Sequence, residues 1–272
     1  MLDARLVEAC LALLFGLLIG SFLNVCIYRL PQDLSVVRPR SYCPACSHPI
    51  AWYDNVPLLS YVLLGARCRH CKAAISWRYP VVELLTGVLF FVFVWRLGPS
   101  LEAVKLCLLS ALLVGLTFSD LEALILPDEF TLGGTAAGLV LAWFVPLSHD
   151  FASLLLSLAG VPSNPHWDSL AEALLGAFLP GLFLWFGGWI YFKMRQREGL
   201  GLGDVKLVAM VGAFLGLHGA LLMLIVGSLA GSLIGYAYIK ITHQDPATYE
   251  LPFGTFLGLA GIAVCLTSAG PI

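Results

Sequence analysis

Two acids and two pairs of cysteines carry the chemistry this sequence offers. The first acid, Asp204, closes the strip Gly199-Leu200-Gly201-Leu202-Gly203-Asp204, followed by Val205-Lys206, at the mouth of a long apolar run. Glycine has no Cβ, so it permits φ > 0 and lets another chain approach the backbone closely. The strip therefore reads as an open backbone that presents Asp204 to something long and thin, such as a peptide. The plainer alternative is a loop whose Asp204 caps the next helix through its side-chain oxygen. The second acid, Asp120, ends the stretch Leu116-Thr117-Phe118-Ser119-Asp120. An acid beside a membrane segment is costly and by default marks function. Two carboxyls brought together cannot both ionise cheaply, so they share a proton. The ionised partner can then activate a water as general base while the protonated one polarises a peptide carbonyl. That is aspartyl-protease chemistry. Nearby, Asp128 after Pro127 reads as a helix cap, and Glu122 and Glu129 as solvated.

Cys43-Pro44-Ala45-Cys46 and Cys68-Arg69-His70-Cys71 are two CxxC pairs separated by 21 residues. Each pair can wrap two thiolates around one face of a zinc ion, with the intervening segment expected as a hairpin that unites them. Four thiolates close a tetrahedron, so the metal should be structural. His48 and His70 are not needed as ligands. The alternative, a pair of disulfides, suits an oxidising compartment and not the cytoplasm. Cys10, Cys26, Cys107 and Cys265 lie in apolar runs and read as packing.

These residues must be positioned by a membrane protein. The chain of 272 residues is 59% hydrophobic and only 12% charged, with a mean hydropathy of +0.89. A soluble domain is closer to a quarter charged. The uncharged run Ala9–Tyr28 is long enough to span and does not read as a cleaved signal. Charge-poor runs place spans at about Leu6–Tyr28, Pro80–Trp95, Leu106–Ser119, Phe130–Leu147, Ala173–Phe192 and Phe253–Leu266. The run Leu207–Ile239 would be about 50 Å long as one helix, too long for a single crossing. Gly216–Gly219 is the expected turn, giving two spans there and about eight in all. The expected fold is all-α, with a first span at 1–28, a cytoplasmic zinc-binding insert at 29–79 and a transmembrane core at 80–272. With alternate loops on alternate sides, twelve Lys and Arg fall on one side and three on the other. The positive-inside rule then places 29–79 and the Gly199–Asp204 strip in the cytoplasm, together with Asp120. Ser148–Ser169 falls outside.

The ordered set of motifs resembles the type IV prepilin peptidases of bacteria, which are GxGD aspartyl proteases. The matching segments are Gly20-Ser-Phe-Leu-Asn24-Val25, Tyr28-Arg-Leu-Pro31, Arg40-Ser-Tyr-Cys43-Pro-Ala-Cys46, Ile50-Ala-Trp-Tyr-Asp54-Asn55-Val-Pro57, Tyr79-Pro-Val-Val-Glu83, Asp120 with Pro127-Asp128, Glu198 to Lys206, and Leu251-Pro-Phe-Gly254. The resemblance implies an enzyme of the bacterial inner membrane that removes a basic leader from prepilins or pseudopilins. It also implies N-methylation of the new N-terminus with S-adenosylmethionine. Carried over, the catalytic pair is Asp120 and Asp204, the zinc ligands are Cys43, Cys46, Cys68 and Cys71, and Glu83 is a candidate for the methyl-transfer region. Glu83 and Asn24 read equally well as structural polar groups inside the bundle. The implied partners are the precursors and membrane lipid, with no nucleic acid. A prepilin's apolar helix can lie in the bilayer while its basic leader stays at the cytoplasmic face.

Two rival readings use the same residues. A transporter also needs intramembrane acids and glycine breaks, but no matching broken segments occur in the two halves. A non-catalytic assembly subunit would keep the insert and spans without chemistry. The orientation can be checked directly. A thiol introduced as Ser163→Cys should react with an impermeant reagent in intact cells; reaction only after the membrane is breached would invert the map.

Overall fold

The computed structural model describes residues 2–147, 151–158, 160, 162, 164–196, 200–243 and 251–270. Among them there is no strand beyond two single bridged pairs, and the helices are α1 (Leu2–Arg29), α2 (Leu59–Leu63), α3 (Arg78–Leu97), α4 (Leu101–Ala123), α5 (Asp128–Phe144), α6 (Phe151–Leu158), α7 (Pro165–Arg195), α8 (Leu202–Thr242) and α9 (Phe253–Ser268). Five helices are long and apolar enough to cross a membrane: α1, α3, α4, α7 and α8. Helices α5 and α9, of 17 and 16 residues, are shorter but also apolar. Phe15 and Leu18 on α1, and Phe178, Leu182, Phe183 and Phe186 on α7, leave large side chains exposed, as suits a lipid solvent. The chain is a multi-pass membrane protein.

The chain divides into two compact units, Met1–Phe118 and Ser119–Pro271. In the first, α1 and α3 pack antiparallel with their backbones nearly touching. A Cβ at Gly16 would lie 2.8 Å from Gly87 Cα, and one at Gly20 would lie 2.6 Å from Glu83 Cα. Small residues let membrane helices approach this closely, since lipid supplies no hydrophobic drive between them.

In the second unit, α7 and α8 meet at Gly176, Gly212 and Gly216. A Cβ at Gly176 would come 2.5 Å from the Gly216 carbonyl carbon. Gly138 of α5 faces Ala213 and Phe214 of α8, and Gly227 of α8 faces Leu257 of α9. The expected break in the long apolar run is present: Gly216 has φ 73° and ψ −174°, a region open essentially to glycine. Gly219, placed in the same turn from sequence, is instead helical.

A break exposes N–H groups at the start of the next helix. Glu172 of α7 supplies the acceptor. Its Oε1 accepts from Leu217 N at 3.1 Å and its Oε2 from Ala152 N, in the first turn of α6, at 3.0 Å. Helix α6 itself was not expected; Phe151–Leu158 lies within the stretch Ser148–Ser169, placed outside with no element assigned to it. Residues 148–150 and Ser163 of that stretch lie outside the described residues. Helix α7 starts as its sequence dictates, with Asn164 as N-cap accepting from His166 N and Pro165 in the first turn.

Glu172 therefore joins three elements through two oxygens. Each buried N–H left without a partner costs about 1–3 kcal/mol. In detergent, thermal stability should fall in the order wild type, Glu172→Gln, Glu172→Ala, because the amide keeps one acceptor and alanine keeps none. Equal melting temperatures for all three would refute this role.

Candidate functional site

The second unit brings Asp120 and Asp204 together at helix ends. Asp120 lies in the last turn of α4 and Asp204 in the first turn of α8, and they are 5% and 9% exposed. The two carboxyls interact electrostatically. Asp120 Oδ2 accepts from Thr255 N at 2.6 Å and from Thr255 Oγ1 at 3.0 Å. Thr255 belongs to the first turn of α9, where its N–H is shared between Asp120 and Pro252 O, the latter at 3.2 Å. Gly254 makes the approach possible: a Cβ there would stand 3.0 Å from Asp120 Cγ. Thr255 was not singled out from sequence. Its signal was its place immediately after the Leu251–Gly254 block.

The glycine strip does something different from what was expected of it. Gly201 is the N-cap of α8 with φ −71° and ψ 140°, an ordinary extended conformation, and Gly203 is already helical. Gly199 lies outside the described residues. The strip's glycines provide room. A Cβ at Gly203 would press on Leu126 Cβ at 3.1 Å, and Asp204 Oδ2 lies 3.4 Å from where a Cβ would sit on Gly201. Asp204 is not the cap residue. It stands three residues on, and its carboxyl bonds back to the Gly201 backbone N–H, as the acid of a capping box does. Leu126 packs against both Gly203 and Gly254, so one side chain borders both acid-bearing helix ends.

Asp128 is likewise not the cap of α5. Pro127 occupies that position, and Asp128 is the first helical residue, with Oδ1 2.6 Å from Lys206 Nζ. The ion pair wins because Lys206 lies one turn into α8, at the same end of the unit. Glu122 and Glu129 are exposed, as expected.

In the first unit the four cysteines converge. Sγ atoms of Cys43, Cys46, Cys68 and Cys71 all lie within 4.8 Å of one another, and Cys43 and Cys71 are 3.9 Å apart. Tetrahedral thiolates around zinc stand about 3.8 Å apart, given a Zn–S bond of about 2.3 Å. The two knuckles are built alike. Cys43 N donates to His48 O and Ser47 N to Cys43 O; Cys68 N donates to Ala73 O and Lys72 N to Cys68 O. Ser47 and Lys72 both take the left-handed conformation, at φ 57° and 59°. The segment between the knuckles is not the expected hairpin. It contains a 3₁₀ turn at Trp52–Asn55 and the helix α2, and Asp54 of that turn holds Arg69 of the second knuckle at 2.6 and 2.8 Å. Of the other cysteines, Cys26, Cys107 and Cys265 are buried as expected, whereas Cys10 is exposed on α1.

The sulfur chemistry fits a cation. Backbone N–H groups of Cys71 and His70 hold the Cys68 thiol down to about 6. The His48 backbone N–H favours the Cys46 thiolate too, but desolvation and the sulfurs of Cys71, Cys43 and Cys68 outweigh it and push that thiol up to about 11. Four thiolates this close repel one another, and a metal ion at their centre removes the conflict. The cluster could hold a metal.

Glu83 of α3 is buried beside this insert, where Oε2 accepts from Leu58 N at 2.8 Å and Ser21 also bonds to the carboxyl. A cavity of about 460 Å³ lies between the insert and the two helices, lined by Asn24, Tyr28, Tyr61, Tyr79 and Glu83 among others.

The Bacterial Peptidase A24 N-terminal domain family matches residues 14–97, and the Type IV leader peptidase family matches residues 107–236. A curated protein from Aeromonas salmonicida, named prepilin leader peptidase/N-methyltransferase, is 37% identical over 92% of this chain and 88% of its own length. The chain belongs to the type IV leader peptidase family. A relative of the same name from Myxococcus xanthus is 45% identical over 84% of this chain, but the match spans only 62% of that relative's length. One from Pseudomonas aeruginosa is 33% identical over 92% of the chain and 87% of its own. No solved structure matches. The boundary between the two family domains falls at residues 98–106, within the first compact unit.

The cysteine cluster makes a direct prediction for this family member. Protein purified without chelator should carry one metal ion per chain. Cys71→Ser should lose the ion and leave residues 29–79 open to proteolysis, because an open structural site no longer folds its ligand loops. Full metal content in a Cys43→Ser/Cys71→Ser double variant would place the ion elsewhere.

Proposed function

We propose that this chain cleaves the basic leader from type IV prepilins or pseudopilins with Asp120 and Asp204, and N-methylates the residue so exposed. The observation that carries the reading is the pair of buried, interacting carboxyls held at two helix ends in a chain of the type IV leader peptidase family. With one proton between them, the ionised acid takes a proton from water as its oxygen attacks the scissile carbonyl carbon. The protonated acid gives its proton to the carbonyl oxygen. When the tetrahedral carbon collapses, the C–N bond breaks and the amine leaves with a proton returned from the pair. Thr255 holds Asp120 at Oδ2, which fixes the direction its carboxyl faces.

The membrane arrangement follows. Helices α1, α3, α4, α5 and α7, the two parts of α8 on either side of Gly216, and α9 make eight crossings. Both termini then face outward, and Asp120, Asp204 and the insert 29–79 lie on the cytoplasmic side of the bacterial inner membrane, in keeping with the Lys and Arg distribution. The substrate's apolar helix shares the bilayer, so the bond to be cut is held at one depth, and anchoring acts as positioning. The metal is zinc, bound by Cys43, Cys46, Cys68 and Cys71, and it is structural because all four positions are filled by protein.

Methyl transfer belongs to the first unit, around Glu83. The cavity there has the size of a small-molecule site and mixes tyrosine walls with a few polar groups, which suits S-adenosylmethionine. Bound there, that donor would supply an electrophilic methyl group to the amine nitrogen. The residues of this chain contribute binding and alignment.

The two activities should therefore separate. Asp120→Asn and Asp204→Asn should each abolish cleavage, with the double variant scarcely worse, since either loss removes the shared-proton pair. Asp204→Asn should still methylate a pilin supplied already cleaved, and Glu83→Gln should cleave but methylate poorly. Intact-mass analysis of substrate with and without S-adenosylmethionine reads both steps. Full cleavage by either aspartate variant would end the assignment, and loss of methylation in folded Asp204→Asn would mean that one site does both.

A further inference from the structure

Leu58 stands in a backbone conformation that residues with side chains avoid. Its φ is 59° and its ψ −48°, and across it the Leu59 N–H donates back to Pro57 O at 2.6 Å. This is the rare, strained form of the γ-turn. Strain of this kind persists only where the surroundings over-determine it, and it gathers at functional clamps. The turn aims the Leu58 N–H at Glu83 Oε2, 2.8 Å away. Glu83 lines the cavity of about 460 Å³, so the placement of this one N–H bears on the cavity's carboxyl.

The hold on Leu58 comes from the chain around it. Ser60 is buried, and its Oγ accepts from Val56 N at 3.0 Å and donates to Tyr53 O at 3.1 Å. The 3₁₀ turn Trp52–Asn55 is thereby stitched to the start of α2 across Leu58. Arg69 grips that 3₁₀ turn from the other side. Its Nε donates to Asp54 Oδ2 at 2.8 Å and its Nη2 to Oδ1 at 2.6 Å, while the guanidinium lies over the Tyr53 ring, 5.7 Å from its centroid. A single exposed ion pair fixes little, but two parallel bonds to one carboxylate fix an orientation. Arg69 is itself held by its backbone. It sits between Cys68 and Cys71, in a knuckle closed by Cys68 N on Ala73 O and Lys72 N on Cys68 O. An unbroken run of bonds thus leads from the second knuckle through Asp54, Tyr53, Ser60 and Leu58 to Glu83.

We propose that Asp54 and Arg69 are positioning residues for methyl transfer: together they hold the turn that places the Leu58 N–H on Glu83, and so fix where that carboxyl stands. The inference rests on the methyl-transfer reading of Glu83 and adds to it a pair that acts through Leu58. It gives the segment between the two knuckles a purpose beyond joining them. The strained turn at Leu58 is kept in place by an ion pair anchored on the knuckle, and the carboxyl is kept in place by the turn.

The test uses the full chain in detergent, purified without chelator. Amide hydrogen exchange is read at Leu58 and at the knuckle residues Cys68 and Lys72, alongside metal content. Asp54→Asn and Arg69→Gln should each speed exchange at Leu58 about tenfold, the effect of one hydrogen bond to a carboxyl. Metal content and exchange at Cys68 and Lys72 should stay as in wild type. The double variant should exchange no faster at Leu58 than either single one, because the pair acts as a unit. With a pilin supplied already cleaved, each variant should lower kcat for methyl transfer about tenfold and leave KM for S-adenosylmethionine within about twofold, the mark of lost alignment. In a Glu83→Gln background the same substitutions should lower kcat no further, since their effect passes through that carboxyl. Unchanged exchange at Leu58 in both single variants overturns the proposal. So does loss of the metal or release of the knuckle amides together with Leu58, which marks a general loosening of the insert. A further fall of kcat in the Glu83→Gln background overturns it as well. Failure of the underlying reading looks different: a Glu83→Gln chain that methylates as well as wild type refutes the role of Glu83, and with it the pair's part in methyl transfer, while the exchange comparison still decides whether the pair places the Leu58 N–H.

Discussion

A helix that starts inside an apolar bundle has N–H groups with no partner, and an acid buried there has oxygens with none. This chain answers each need with the other. Asp120 takes the Thr255 N–H at the start of α9, and Asp204 takes the Gly201 N–H at the start of α8. Glu172 takes Ala152 at the start of α6 and Leu217 just after the break in α8. Glu83 takes the Leu58 N–H at the entry to α2. Each acid is thereby made tolerable in a low-dielectric setting; Asp120, Glu172 and Glu83 also tie a helix start to a different part of the unit, whereas Asp204 closes the start of its own helix. The positive end of the helix macrodipole favours the same arrangement.

The glycines follow from this constraint. For a carboxyl to reach backbone N–H groups, or for its helix to press on another, something beside it must be small. Gly254 stands against Asp120, Gly216 against Glu172, Gly20 against the Glu83 backbone, and Gly201 against Asp204. Among these only Gly216 uses the backbone freedom of glycine; the others use its lack of a side chain. The glycine-rich strip before Asp204 is therefore better understood as clearance, for Leu126 and for the acid itself, than as a flexible loop.

Much of this was legible in the sequence, because membrane helices are written in uninterrupted apolar runs and thiolate sites in fixed spacings. The placement of Asp120 and Asp204 at helix ends and the meeting of the four cysteines needed only local pattern and counting. The break at Gly216 followed from length alone. What could not be read was the partner of each acid. Thr255 is 135 residues from Asp120, and Leu217 is 45 from Glu172. No local periodicity reports on pairs so distant. Helix α6 was missed for another reason: Phe151–Leu158 is apolar but far too short to span, so it carried no membrane signal. The capping assignments of Asp128 and Asp204 failed by position, since an acid near a helix start can serve as cap, returning acid or ion-pair partner, and only the geometry decides among them.

On the proposed function, how an acid's oxygens are occupied distinguishes Glu172 from Asp120. Glu172 commits one oxygen to each of two helix starts, so removing it should cost stability and it has nothing left to offer a substrate. The donors to Asp120 converge instead on Oδ2, and its carboxyl acts electrostatically on that of Asp204. A cell that needed only to neutralise these groups could have placed an arginine between them, as Asp54 has Arg69. In the proposed mechanism two acids set against each other raise the cost of holding two charges, so one proton shared between them is the cheaper state. In that mechanism the shared proton is the one given to the scissile carbonyl oxygen, and the bonds from Thr255 set where the Asp120 carboxyl stands to give or take it.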